Sequence, residues 1–198
     1  AARYAGKRIQ FGKPILQIPA VNRMLLSMRG EIEATRALLA EASQWVDLKK
    51  GYERRQDAGR LTAEERARLR QADRLAGALF PMGKYYATEM ANRVCDQAIQ
   101  IHGGTGYMRE FSVERHFRDV RINNIYEGTS QLQVVGAIGS LLNHALDGLL
   151  DEWAAASYPE ELRGIQAQLQ EAGAEFRACA DLLKGQTERD TIDYYAED

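Results

Sequence analysis

The run Asn123-Asn124-Ile125-Tyr126-Glu127-Gly128-Thr129-Ser130-Gln131 holds the carboxylate whose neighbours say most about chemistry. Glu127 precedes a helical pattern, lies between Tyr126 and Gly128, and has Ile125 two positions before it. A carboxylate presented from such a turn into an apolar cavity loses hydration, which raises its pKa toward neutrality and makes it a usable general base. The alternative is a solvated Glu near a helix N-terminus, where the backbone dipole favours negative charge. A second group, Gly103-Gly104-Thr105-Gly106, directly follows His102. It resembles a phosphate loop only superficially, because it follows a helical pattern instead of a strand and no Lys-Ser/Thr pair comes after it. What remains is a helix C-cap, either alone or with bare amides that a ligand can approach closely. The third group is Lys7-Arg8-Ile9-Gln10-Phe11-Gly12-Lys13-Pro14-Ile15. Its Arg could clamp a phosphate bidentately while Phe11 lies against a ring system, or the segment is simply a basic turn between helices.

Metal and thiol chemistry have less support. A di-iron site in a helical bundle needs Glu-x-x-His pairs, and the residues three before His102, His116 and His144 are Ile99, Val113 and Leu141, which excludes that class. Cys95 and Cys179 are far apart in sequence and neither belongs to a CxxC, so both read as reduced, structurally placed thiols.

The elements that must carry these groups are helical. From Pro19 to Asp57, apolar side chains recur at Val21, Leu25, Met28, Ile32, Leu39 and Val46, one face of a long amphipathic helix. The charged stretch 49–70, with Gly51 and Gly59, frays into an exposed turn. Thr62-Ala-Glu-Glu65 then reads as a capping box that opens a second long helix. That helix carries Leu75, Leu79, Met82, Tyr86, Met90, Val94, Ala98 and Ile101, with Pro81 as a kink, and ends in the glycines after His102. A short charged helix is expected over 113–121. A third long helix follows, capped by Thr129 or Ser130 and running unbroken through Leu132, Val135, Ile138, Leu142, Leu146, Leu149 and Trp153. Pro159-Glu160-Glu161 opens a last helix that Gly185 stops. No stretch alternates with period two for long enough to be a strand. The fold class is therefore all-α, an antiparallel helical bundle with an extra C-terminal helix, divided as a bundle domain over 1–155 and a helical extension over 156–198.

Composition narrows the classes further. With 26 Lys+Arg against 28 Asp+Glu, the formal charge of −2 offers no general attraction to nucleic acid or anionic lipid, so neither is an expected partner. No apolar run approaches the ~18 residues of a spanning helix, and the opening Ala-Ala-Arg-Tyr-Ala-Gly-Lys-Arg lacks the core of a secretion signal, which predicts an intracellular, cytoplasmic protein. The chain lacks an initiating Met, and its last eight residues stop within a helical pattern, as expected of a piece of a longer protein.

Taken in order, Arg8-Ile9-Gln10-Phe11-Gly12-Lys13-Pro14, Gln100-Ile101-His102-Gly103-Gly104-Thr105-Gly106-Tyr107 and Ile125-Tyr126-Glu127-Gly128-Thr129-Ser130-Gln131 resemble the C-terminal helical domain of the acyl-CoA dehydrogenases. The resemblance covers about residues 1 to 145, and the C-terminal part is similar to that of the larger bacterial members. It implies an FAD enzyme that removes two hydrogens from Cα and Cβ of an acyl-CoA thioester, with Glu127 as the proton-abstracting base. It also implies that Thr129 and Gln131 contact flavin within the subunit, while Arg8, Gln10, Phe11, Gln100, Gly103 and Gly104 contact the FAD of a neighbouring subunit. Tyr126 and Gly128 would line the substrate, the Glu127 amide and a flavin ribityl hydroxyl would stabilise the enolate oxygen, and an electron-transfer flavoprotein would accept the electrons. A dimer or tetramer follows from the shared cofactor site. The flavin-covering β-domain of the family is not among these residues, so the isolated chain is expected to hold FAD weakly or not at all. Pro19 departs from the Gln that many members carry there, and no flavin role is assigned to it. The rival expectations are a non-catalytic helical interaction module and an acyl-CoA oxidase.

Overall fold

The computed structural model describes residues 1–185. The expected ending within a helical pattern, at 191–198, lies outside the described residues. The chain is all-α, with seven α-helices among the described residues. They are α1 (Ala2–Lys7), α2 (Pro19–Asp57), α3 (Ala63–His102), α4 (Ser112–Val120), α5 (Ser130–Leu142), α6 (Asp147–Ala155) and α7 (Arg163–Lys184). No helix among the described residues is long and apolar enough to cross a membrane. Both cysteines are free.

The chain forms two compact units, one of Ala1–Ala40 with Gly83–Ser130, the other of Glu41–Met82 with the described residues from Gln131 onward. In the first unit, Ala5, Ile15, Met28 and Ile101 make a core against which Tyr4, Ile18, Val21, Met24, Leu25, Val94 and Ala98 pack. Six of these, Val21, Leu25 and Met28 of α2 with Val94, Ala98 and Ile101 of α3, belong to the helical series legible in the sequence, and each set of three lies on one face of its own helix because of its spacing.

In the second unit α2 and α3 form a helical hairpin. Its tip is closed by the expected capping box: the Glu65 amide donates to Thr62 Oγ1 at 3.2 Å and the Thr62 amide donates to a Glu65 carboxylate oxygen at 2.9 Å. Ion pairs Arg55–Glu65 at 2.6 Å and Lys49–Asp73 at 2.5 Å fix the antiparallel direction. Pro81 stands inside α3 without ending it. A Cβ at Gly77 would lie 3.0 Å from Ser140 Oγ, so this glycine lets α5 approach α3 closely. Ile138, Leu142 and Ala180 complete the packing of α5 on α7.

The third long helix departs from expectation, since it is broken between α5 and α6. His144 adopts φ +57°. The Ala145 amide donates to the Ser140 carbonyl at 3.1 Å and the His144 amide to the Leu141 carbonyl at 2.9 Å, the paired bonds of a Schellman stop. His144 is then held by Asp147 at 3.2 Å and Asp181 at 3.1 Å. Apolar periodicity continues across the break, so it hid a terminus whose left-handed residue is not a glycine. A second departure is a two-residue antiparallel hairpin, β1 (Ile9–Gln10) with β2 (Lys13–Pro14), in register Ile9↔Pro14 and Gln10↔Lys13. It is too short for any period to register in sequence. Its turn places Phe11 at φ +52° and Gly12 at φ +77°, the left-handed pair that a two-residue hairpin demands.

Candidate active site

The first unit carries two sites. One is a cleft of about 660 Å³ between the hairpin, the start of α2 and the end of α3. Arg8, Gln10, Gln100, Gly103 and Gly104 all line it, over a floor that includes Ile15, Val21, Met24 and Ile101. Five residues from distant segments thus meet in one place. Phe11 stands beside them at the hairpin tip, 84% exposed and with a left-handed backbone. Holding a large aromatic residue there costs backbone energy, and nothing in the hydrophobic core recovers it.

The glycine turn is built from its neighbours. Gly103, at φ +61°, ends α3, and the 3-10 turn Gly103–Tyr107 follows. The Tyr4 ring stacks on His102 with centroids 4.2 Å apart, and its hydroxyl lies 3.0 Å from Thr105 Oγ1. His102 Nδ1 lies 2.7 Å from the Ala98 carbonyl and donates to it, so His102 is a structural histidine. A Cβ at Gly106 would come within 2.7 Å of His102 Cβ and 2.8 Å of the Ile99 oxygen, whereas one at Gly103 or Gly104 would meet nothing within 4 Å. Gly106 is required by packing; Gly103 and Gly104 leave an open cradle facing the cleft.

That cradle suits a dinucleotide. The cleft lining contains a guanidinium, two side-chain amides and exposed glycine backbone, and it includes no carboxylate. Such a set fits a pyrophosphate and its flanking hydroxyls, with an apolar floor for the remainder.

The second site is the turn that carries Glu127. After α4 and the 3-10 turn Arg121–Asn124, the chain reaches Glu127 at φ +52° and Gly128 at φ +92° before α5 begins at Ser130. Glu127 is exposed, and Ile125 and Tyr126 beside it are 50% and 49% exposed. Of the two readings, cavity or solvated turn, the described residues show the open one: the apolar neighbours of this carboxylate form an exposed face. Thr129 and Gln131, half-buried and exposed, bracket the first residue of α5, and neither lines the cleft.

Several residues that hold this turn were not singled out in the sequence. Lys84 Nζ donates to the carbonyls of Asn123 at 2.9 Å, Tyr126 at 3.1 Å and Gly128 at 2.6 Å. Glu89 accepts from Ser130 Oγ at 2.6 Å and from Asn124 Nδ2, and Asn124 in turn accepts from Asn92 Nδ2. Nothing in the sequence marked Lys84 and Glu89; only the structure shows that α3 between Met82 and Met90 has no exposed residue although it carries these two charges. Burial also pushes the Cys95 thiol up, away from thiolate character. Among the described residues no group of His, Cys, Asp and Glu could hold a metal ion.

Residues 1–54 and 51–138 match the family model described as "Acyl-CoA dehydrogenase, C-terminal domain". The chain belongs to the acyl-CoA dehydrogenase family. It is 38% identical over 142 residues to the caffeyl-CoA reductase-Etf complex subunit CarC of Acetobacterium woodii, covering 72% of this chain and 31% of that protein. It is 35% identical over 170 residues to the 3-methylmercaptopropionyl-CoA dehydrogenase of Ruegeria pomeroyi, covering 86% of this chain and 26% of that one. The crystal structure of an acyl-CoA dehydrogenase complexed with FAD from Bacillus anthracis superposes with a TM-score of 0.67 over 99% of this chain and 34% of its own, at 24% identity, a likeness of fold. The chain thus spans about a third or less of the length of these relatives.

Proposed function

We propose that these residues are the C-terminal helical part of an FAD-dependent acyl-CoA dehydrogenase that removes the α and β hydrogens of an acyl-CoA thioester, with Glu127 as the base. The observation that carries this reading is the convergence of Arg8, Gln10, Gln100, Gly103 and Gly104 on one acid-free cleft. Arg8 would bind the cofactor's pyrophosphate, Gln10 and Gln100 its hydroxyls, and Phe11 would lie against a ring. Bound FAD supplies the hydride acceptor that no side chain provides.

Glu127 is carried at the entrance to α5, where the sharp Gly128 turn lets the backbone come close to a thioester. Its carboxylate takes the proton from Cα while its amide donates toward the thioester oxygen as negative charge develops there. Tyr126 and Ile125 give that carboxylate an apolar surround once substrate and the rest of the enzyme cover the open face. Thr129, of the same unit, is not among the residues that line the cleft, which supports the reading that the cleft residues and the pair Thr129 and Gln131 serve two cofactors, as in a homodimer or tetramer with shared sites. The naming of CarC as a subunit of an Etf complex supports an electron-transfer flavoprotein as acceptor. The experiment is Glu127→Gln in the full-length enzyme. Flavin bleaching by acyl-CoA in stopped flow should slow by at least ~10²-fold, the scale of losing a general base. Reduction near the wild-type rate would move the base elsewhere.

A further inference from the structure

The Glu127 turn is an unfavourable piece of backbone, because two successive residues, one of them not glycine, hold φ +52° and +92°. Its carbonyls add a second difficulty. Those of Asn123, Tyr126 and Gly128 aim their oxygens at a single point, all within 3.1 Å of Lys84 Nζ. Convergent carbonyl dipoles repel one another unless a cation with several divergent donors sits between them. An ammonium has three N–H donors and no acceptor, so these three bonds use its whole capacity. The charge also lies 5.7 Å from the Tyr126 ring centroid.

We propose that Lys84 is the positioning residue of this site: by gathering carbonyls from both sides of Glu127, it fixes the left-handed turn that aims the carboxylate. This rests on Glu127 being the base. Lys84 is not in the chemistry itself; it acts through the backbone. The ends of the turn are pinned separately. Asn124 and Ser130, both buried, are tied to each other at 3.2 Å and to Glu89 of α3. Only residues 125–129 lie between those anchors, and Lys84 holds their middle.

The geometry separates Lys84 from a generic cation. A guanidinium is a planar fork and cannot place three donors around one point, so Arg keeps the charge and loses the clamp. Met keeps the stem and removes the ammonium that the three convergent carbonyls share.

The test uses the full-length flavoenzyme, with flavin reduction by acyl-CoA measured in single turnover per bound flavin. Lys84→Met should lower the reduction rate about 10–10²-fold, the effect of a displacement of roughly an ångström at a reacting group. Apparent acyl-CoA affinity should change by less than about 3-fold, so that the loss falls on the rate and not on binding. In a Glu127→Gln background, Lys84→Met should cost nothing further, because it acts only through that carboxylate. Lys84→Arg should retain flavin and still reduce slowly, and it carries the test if Lys84→Met yields no soluble flavoprotein. A wild-type rate in these Lys84 variants, in an enzyme that Glu127→Gln cripples, overturns the positioning role alone. Losses that multiply in the double variant also overturn it. A harmless Glu127→Gln overturns the assignment of the base and this inference together.

Discussion

Gly106→Ala tests whether the glycine turn is set by packing or by ligand access. The new Cβ would lie 2.7 Å from His102 Cβ and 2.8 Å from the Ile99 oxygen, where ordinary contact begins at 3.4 Å. Neither neighbour can yield easily. The Ile99 oxygen is helix backbone, and His102 is stacked on Tyr4, edged by Phe111, and bonded to the Ala98 carbonyl. Relieving an overlap of about 0.6–0.7 Å at two such atoms is overpacking of the kind that costs about 1–3 kcal/mol. Replacing Gly by Ala also removes unfolded-state freedom, which stabilises by about 0.4–1 kcal/mol. The balance is a loss of about 1–2 kcal/mol. Thermal unfolding followed by far-UV circular dichroism should show a midpoint lower by about 2–8 °C for a protein of this size. Gly104→Ala is the internal comparison, since its Cβ meets nothing. It should leave the midpoint unchanged or slightly raised, while obstructing the cleft in the full-length enzyme and weakening FAD retention. Equal shifts for the two variants, or an unshifted Gly106→Ala, would refute the distinction between a packed glycine and an open one.

Phe11→Gly should stabilise the chain by about 1 kcal/mol, because it relieves a left-handed backbone at an exposed position, yet weaken FAD retention in the full-length enzyme; urea unfolding and flavin content read the two effects. Thr62→Ala should cost about 0.5–2 kcal/mol in urea unfolding through loss of the helix cap. The Thr62 amide, and after it Arg55, hold Glu65 below its ordinary carboxylate value, so the box contributes fully above the unfolded pKa and fades as pH falls through the lowered folded one. The purified chain alone should be colourless and should self-associate through its exposed apolar faces; absorbance near the flavin bands and light scattering check these, and stoichiometric flavin or a clean monomer at micromolar concentration would count against them.

Most helices here were legible in the sequence, because a helix is a local object. Three- and four-residue spacing predicted α2 and α3, and Thr62 with Glu65 predicted the start of α3, since the bonds that make a cap lie within four residues. The segments around Arg8, Gly103 and Glu127 also declared themselves, through residue types that are unusual in plain helices. Tertiary structure decided the rest. The stop at His144 was invisible because apolar periodicity runs through it and the left-handed residue is not glycine. The cleft exists only because the hairpin and the end of α3, nearly a hundred residues apart, pack on one core of Ala5, Ile15, Met28 and Ile101. The environment of Glu127 was left open between a cavity and a solvated turn for the same reason: whether an apolar neighbour encloses a carboxylate or lies open beside it depends on what packs over it, which no local pattern encodes. Lys84 gives the sharpest case. In sequence it is one charged residue in a charged helix, and its role appears only where three backbone carbonyls, whose positions no side-chain code records, arrive at its ammonium.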